Sequence, residues 1–207
     1  MSNQLSFPIV AILRGITPDR ATDVANALYR AGIRALEVTF NSPDPLASIA
    51  AITTMQLEGC LVGAGTVLSV NDVQRTYDVG GRLIVTPNCD AAVIGHALKQ
   101  GMVMFPGIAT PTEAFAAIKA GATNLKLFPA ATYGATHLKA LKAVLPAHIK
   151  ILPVGGIGAA DVAAWVKAGA DGFGFGSELF RPEYSLSDIE ARAQQLVQAY
   201  QAAILPA

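Results

Sequence analysis

The sequence predicts an α/β fold, a single (β/α)8 barrel spanning residues 1–207. Three observations predict it. Amphipathic stretches end in glycine and a short β-rich run follows, at Ala31-Gly32, Val79-Gly80, Gln100-Gly101, Ala120-Gly121 and Ala168-Gly169. A glycine just past a helix end, then a turn into a strand, is the spelling of a βα repeat. Eight such runs in 207 residues, with no linker, charge block or low-complexity segment between them, favour a closed parallel barrel over an open sheet.

The elements follow in order. Residues 8–14 form the first apolar run and close on Arg14-Gly15, and Thr17-Pro18-Asp19 opens a helix with threonine as cap and proline in its first position. The second run, 35–40, carries Glu37 and Thr39 and is followed by Asn41. Ser42-Pro43-Asp44 repeats the capping device and predicts the start of the next helix. The third run, 61–66, ends Gly63-Ala64-Gly65-Thr66, and the fourth, 83–87, ends Thr86-Pro87 before Asn88. The fifth, 103–107, ends Phe105-Pro106-Gly107, and Thr110-Pro111-Thr112-Glu113 then spells a capping box. The sixth, 124–129, contains Lys126, and the seventh, 149–154, runs into Gly155-Gly156. The eighth, 172–177, ends Gly174-Phe175-Gly176-Ser177, and Leu186–Ile204 closes the chain as an amphipathic helix. Met102, Met104 and Trp165 read as core.

Composition bounds the function. Hydrophobic residues make up 52% and charged residues 14%, against about 25% charged in an average soluble protein. That supplies a sizeable core and suits burial of some surface in an oligomer. Fifteen basic residues balance fifteen acidic ones, so nothing favours nucleic acid or an anionic membrane. Cys60 and Cys89 lack CxxC spacing, which fits a reducing cytoplasm rather than a disulfide framework. The first residues carry no basic n-region, and no run approaches a membrane-spanning length, so a cytoplasmic protein is expected.

In such a barrel the chemistry gathers at the C-terminal ends of the strands. Lys126 stands between Leu125 and Leu127, and Glu37 between Leu36 and Val38. Side chains alternate along a strand, so if these apolar neighbours face the helices, the two ionisable groups face the barrel axis. A charge there costs several kcal/mol unless paired or neutralised. One reading is a Lys–Glu salt bridge filling a polar layer. The other is chemical: burial leaves the lysine a neutral amine able to attack a carbonyl, with Glu37 carrying protons. Lys150, at the start of the seventh run, is expected to be a solvated end.

Metal chemistry has little support, because His96, His137 and His148 fall in or beside helices without ligand spacing. Gly155-Gly156 and Gly176-Ser177 lie on the two strands whose loops often bind phosphate in barrels, although glycine also serves plain tight turns. Arg14 and Thr66 suit a carboxylate, and Arg14 suits a rim salt bridge equally well.

The strings Leu36-Glu37-Val38-Thr39, Gly63-Ala64-Gly65-Thr66-Val67-Leu68, Phe105-Pro106-Gly107-Ile108-Ala109-Thr110, Leu125-Lys126-Leu127-Phe128-Pro129-Ala130 and Val154-Gly155-Gly156-Ile157 resemble the 2-keto-3-deoxy-6-phosphogluconate and 4-hydroxy-2-oxoglutarate aldolase family. The resemblance covers nearly the whole chain. It implies a cofactor-free and metal-free class I lyase, usually a homotrimer, acting on a phosphorylated keto sugar acid. It implies Lys126 as the Schiff-base lysine and Glu37 as acid and base. Arg14 and Thr66 then lie near the pyruvate carboxylate, Pro87 and Phe128 line the site, and Gly155, Gly156, Gly176 and Ser177 hold the phosphate.

Ile9-Val10-Ala11-Ile12-Leu13-Arg14-Gly15-Ile16 and Asn41-Ser42-Pro43 are similar to the family's galactonate branch. Gluconate-type members typically carry Arg in place of Asn41 and Thr in place of Val154, which makes these two positions candidates for discrimination between C4 epimers. The competing expectations are a gluconate-type or dual-epimer aldolase, a phosphate-binding epimerase or synthase without an imine, and a non-catalytic phosphate-binding barrel.

Overall fold

The computed structural model describes residues 8–205, so residues 1–7, read above for targeting signals, lie outside the described part. Within it, strands and helices alternate as β1 Ile9–Ile12, α1 Pro18–Arg30, β2 Ala35–Thr39, α2 Pro45–Thr54, β3 Leu61–Gly65 and α3 Val70–Asp78. β4 Leu83–Val85, α4 Ala91–Lys99, β5 Val103–Phe105, β6 Gly107–Ile108 and α5 Pro111–Lys119 follow. The chain ends with β7 Asn124–Leu127, α6 Ala130–Val144, β8 Lys150–Pro153, α7 Val162–Lys167, β9 Phe173–Phe175 and α8 Leu186–Ile204.

Every strand pair is parallel. The order β5-β4-β3-β2-β1-β9 forms one run and β6-β7-β8 a second. A parallel bridge from Val154 to Gly174 joins β8 to β9, and the chain itself joins β5 to β6 through Pro106. The ring is thereby closed, and the fifth expected strand is two short strands rather than one. Pro106 has no N–H to donate, so the ladder breaks there. Its carbonyl still accepts from the Lys126 amide at 2.9 Å, and the Gly107 amide donates to the Thr86 hydroxyl at 3.2 Å.

Two apolar layers hold the barrel. Leu36, Val38, Leu125 and Leu127 are fully buried in the cluster that includes Val24, Leu28 and Ile49 of the surrounding helices. Each such side chain contributes roughly 1.5–3 kcal/mol by leaving water. Val10, Ala35, Leu83, Val85, Phe105 and Leu152 form a separate cluster inside the ring. The alternation read from the sequence therefore holds, and Glu37 and Lys126 face inward. Met102, Met104 and Trp165 are core, as expected.

The glycine endings also hold. Gly32, Gly80, Gly101, Gly121 and Gly169 all adopt positive φ, between 70° and 104°, a conformation that favours glycine. The capping box of α5 is formed: Glu113 donates its amide to the Thr110 hydroxyl and accepts the Thr110 amide at 2.8 Å. Thr17 and Pro18 stand where the sequence placed them, yet the Thr17 hydroxyl makes no capping bond.

The second helix start is a correction. Asp44 caps α2 and Pro45 occupies its first position. Ser42 is instead buried, and its hydroxyl accepts the Gly15 amide at 2.9 Å, lies 3.0 Å from the Thr39 hydroxyl and reaches the Leu13 carbonyl at 3.4 Å. Ser-Pro-Asp and Asp-Pro overlap in the sequence, and the bonds to β1 decide between them.

Candidate active site

Lys126 is 5% exposed and Glu37 1% exposed, on β7 and β2. Gly65 of β3 makes room for the carboxyl. A Cβ there would lie 2.3 Å from Glu37 Oε1, so any side chain at 65 displaces it. Around both groups the wall is apolar, with Val10, Ile12, Val85, Phe105, Leu152 and Val154 lining a small hollow they share.

No short ion pair neutralises them. Among the described residues the pairs within 4 Å are Arg30–Glu190, Arg75–Asp72, Lys142–Asp171 and Lys150–Asp171. Glu37 Oε2 is buried without a hydrogen-bond partner among the described residues. Burial pushes the Glu37 carboxyl up to about 7, with the charges of Lys126 and Arg14 opposing the rise. Burial also lowers the Lys126 ammonium, assisted by Arg14 and opposed by Glu37. The Lys126 nitrogen lies 4.8 Å from the Phe128 ring centroid. The plain salt-bridge reading gives way to two groups held apart and biased toward their neutral forms.

Above them opens a cleft of about 470 Å³. Arg14, Lys126, Phe128 and Val154 line it, with Gly155, Gly156, Gly176 and Ser177. Asn41 does not line it; its side-chain oxygen accepts from Arg14 Nη1 at 2.8 Å, in place of a rim salt bridge. Thr66 and Pro87, at the ends of β3 and β4, line neither cavity. Thr66 holds φ +56°. A β-branched residue in the left-handed region costs on the order of 1–3 kcal/mol, and such strain concentrates at functional sites.

The glycines differ in why they are needed. Gly155 and Gly156 have positive φ, so their turn demands glycine. Gly176 does not, and a Cβ on it would meet no protein atom within 4 Å. Neither backbone nor packing calls for glycine there.

Sequence reading gave no site role to eight residues that line this cleft, Gly174, Glu178, Arg181 and Glu183 among them. Gly174 lets Val154 in: a Cβ on Gly174 would stand 2.7 Å from Val154 Cγ2. Alternation against outward Phe173 and Phe175 was its available signal. Glu178, Arg181 and Glu183 also line the cleft. They belong to the loop after β9, where no period exists to read.

His96 lies 3.2 Å from Gln74, and His137 lies 2.6 Å from the Ala109 carbonyl. Among the described residues no group of three or more His, Cys, Asp or Glu is placed to hold a metal ion. Lys150 is a correction: its ammonium lies 3.3 Å from Asp171 and its side chain is 15% exposed, so it is ion-paired rather than solvated. No described helix is long and apolar enough to cross a membrane.

The chain is similar to known proteins over nearly its whole length. A 2-dehydro-3-deoxy-6-phosphogalactonate aldolase of Escherichia coli (strain K12) is 44% identical over 204 residues, covering 99% of this chain and all of that one. A protein of Rhizobium meliloti (strain 1021), described as a probable enzyme of the same name, is 47% identical over 195 residues, covering 94% and 92%. A solved structure described as native KDPGal is 44% identical, covers 99% of each chain and superposes with a TM-score of 0.95. The family model for KDPG and KHG aldolases matches residues 2–194, and the chain belongs to that family.

Proposed function

We propose that this chain is a class I aldolase, a carbon–carbon lyase that cleaves 2-dehydro-3-deoxy-6-phosphogalactonate to pyruvate and glyceraldehyde 3-phosphate. The relatives at 44–47% identity over nearly the whole length support the substrate. The observation that carries the mechanism is the buried, unpaired facing of Lys126 and Glu37 beneath an open cleft.

The steps follow from the groups present. The neutral Lys126 amine attacks the C2 ketone, and loss of water leaves a protonated imine. Glu37 takes the proton of the C4 hydroxyl as the C3–C4 bond breaks. The bonding electrons pass to the imine nitrogen, giving an enamine, and the aldehyde departs. The enamine is reprotonated at C3, Glu37 returning its proton. Hydrolysis of the imine then frees pyruvate and restores the amine. No step needs a metal or an organic cofactor.

Arg14 faces the carboxylate in this reading, held by Asn41, with Thr66 and Pro87 at the neighbouring strand ends. Phe128 covers the imine nitrogen. The phosphate takes the amides of Gly155, Gly156 and Gly176 and the Ser177 hydroxyl. Val154 gives the C4 region an apolar wall, which supports preference for one epimer. The reading extends to a single catalytic domain over residues 1–207, acting as a cytoplasmic homotrimer. Family membership and the charge-poor composition support the trimer, and light scattering tests it.

The deciding experiment is pyruvate release from each C4 epimer with chelator present, alongside borohydride trapping with pyruvate. Preference for the galactonate epimer and added mass on Lys126 are expected. Equal rates would make the enzyme a dual-epimer aldolase. An active enzyme with unmodified Lys126 would sink the imine mechanism and raise the epimerase or synthase reading.

A further inference from the structure

The cleft contains two guanidinium groups, and only Arg14 has a role in the reading above. Arg181 lines the cleft too, beside Ser177. Its Nε donates to the Ser177 carbonyl at 3.4 Å, and the Tyr184 hydroxyl donates to that carbonyl at 3.5 Å. The Arg181 guanidinium carbon lies 5.8 Å from the Tyr184 ring centroid, and that of Arg192 lies 4.3 Å from it. Arg20 donates to the carbonyls of Pro182 and Tyr184, and Arg192 to that of Glu178 at 3.3 Å. The loop after β9 is therefore fastened to α1 and α8, and it carries Arg181 on a fixed frame. Among the described residues the terminal nitrogens of Arg181 make no hydrogen bond and no ion pair.

Charge counting in the cleft gives those nitrogens a use. Backbone amides and a serine hydroxyl supply dipoles but no net charge. A phosphate monoester brings about −1.5 to −2 charges at neutral pH. Glu178 and Glu183 line the same cleft, and both carboxylates oppose an anion. Without Arg181, a doubly charged group would enter a region of its own sign.

We propose that Arg181 is the counter-charge of the substrate phosphate, so that the cleft reads a dianionic sugar acid with one guanidinium for each anionic group. This assignment rests on the phosphorylated-substrate reading above. Arg14 takes the carboxylate beside Lys126, and Arg181 takes the phosphate from the loop. Its Nε bond to Ser177 also ties the cation to the residue whose hydroxyl faces the same anion. The two terminal nitrogens remain to fork onto phosphate oxygens.

The test compares the parent enzyme with Arg181→Gln and Arg181→Lys. Each is assayed on the phosphorylated keto acid, on the same acid without its phosphate, and with inorganic phosphate as competitor. Borohydride trapping of pyruvate on Lys126 verifies that each variant is folded. In Arg181→Gln the preference for the phosphorylated acid, as a ratio of kcat/KM values, is expected to fall about tenfold, and the inhibition constant of inorganic phosphate to rise by about the same factor. Arg181→Lys should recover part of both, because it restores the charge without the planar fork. Equal losses on the two substrates would show that Arg181 only braces the loop, and would overturn the assignment. So would an unchanged inhibition constant. A parent enzyme indifferent to the phosphate on its substrate and uninhibited by inorganic phosphate would remove the phosphate site itself, and Arg181 with it.

Discussion

Lys150 and Lys126 stand on neighbouring strands, with Lys150 opposite Asn124 and Lys126 opposite Leu152. They belong to acid–base clusters at different levels of one barrel. At the start of β8, Asp171 accepts from Lys142 at 2.8 Å and from the Ile151 amide at 2.8 Å, and lies 3.3 Å from Lys150. That carboxylate is bonded by an ammonium group and an amide, with a second ammonium group beside it. Further along the strands, Lys126 and Glu37 are more deeply buried and lack such partners. Both are driven toward neutrality. A buried pair with close geometry offsets much of its desolvation cost, and removing one partner leaves the other charge uncompensated. A buried lysine denied a close partner is biased toward the neutral amine that nucleophilic attack requires.

The largest effect should separate the two clusters outright. Lys126→Met is expected to reduce pyruvate release by about 10⁴-fold or more and to abolish borohydride trapping, because no other group can form the imine. Lys150→Met should retain turnover. Comparable losses in both variants would mean that the two ends of the barrel are one coupled network.

Glu37→Gln comes next. Turnover should fall by about 10²–10⁴-fold while pyruvate trapping persists. The pH dependence gives the sharper reading. A base pushed up to about 7 is protonated below that pH, so kcat/KM for the parent should rise with pH through about 7 and level off above it. The glutamine variant should lose that limb.

The same elevation acts on stability, with its sign fixed by linkage. A carboxyl raised from 4.5 to about 7 in the folded state favours folding fully below 4.5, and that contribution is lost as pH rises through 7. Relative to the parent, Glu37→Gln should thus gain stability between pH 5 and 8, by up to about 3 kcal/mol. Denaturant midpoints at the two pH values measure it. Parallel curves would show that the folded protein tolerates the ionised carboxyl, against the burial argument.

Asp171→Asn probes the opposite cluster. It leaves two ammonium groups without their carboxylate in a partly buried place, and should cost about 1–3 kcal/mol in denaturant unfolding with turnover retained. Lost activity at full stability would reverse the division of labour between the two clusters.

How much of this the sequence showed depends on the range of the cause. The inward facing of Lys126 and Glu37 was legible because it follows from a local period, each residue flanked by two buried apolar neighbours. The helix ends were legible because glycine and proline act within one turn. Pro106 was in plain view, yet whether it bends a strand or breaks it depends on what the neighbouring strands offer its amide-less nitrogen. Ser42 was misread as a cap because its partners, Leu13 and Gly15, lie 29 and 27 positions away. Lys150 was misread for the same reason, its carboxylate being supplied by the far end of the following helix unit. Arg181 stood on a loop with no period at all.

Asn41 is the test of such a long-range contact, and the smallest expected effect. Its side chain accepts one exposed hydrogen bond from Arg14 Nη1 at 2.8 Å. The Arg14 backbone is fixed separately, since Ser42 bonds the residues on either side of it, Leu13 and Gly15. Asn41→Ala therefore frees the guanidinium without freeing its strand end. A net contribution of about 0.5–1.5 kcal/mol translates into an about two- to tenfold rise in the pyruvate concentration that half-saturates borohydride trapping. Trapping at saturating pyruvate should be unchanged, because Lys126 is untouched. If Asn41→Ala instead shifts the ratio between the two C4 epimers and leaves pyruvate trapping alone, Asn41 acts on the sugar's own hydroxyls rather than through Arg14.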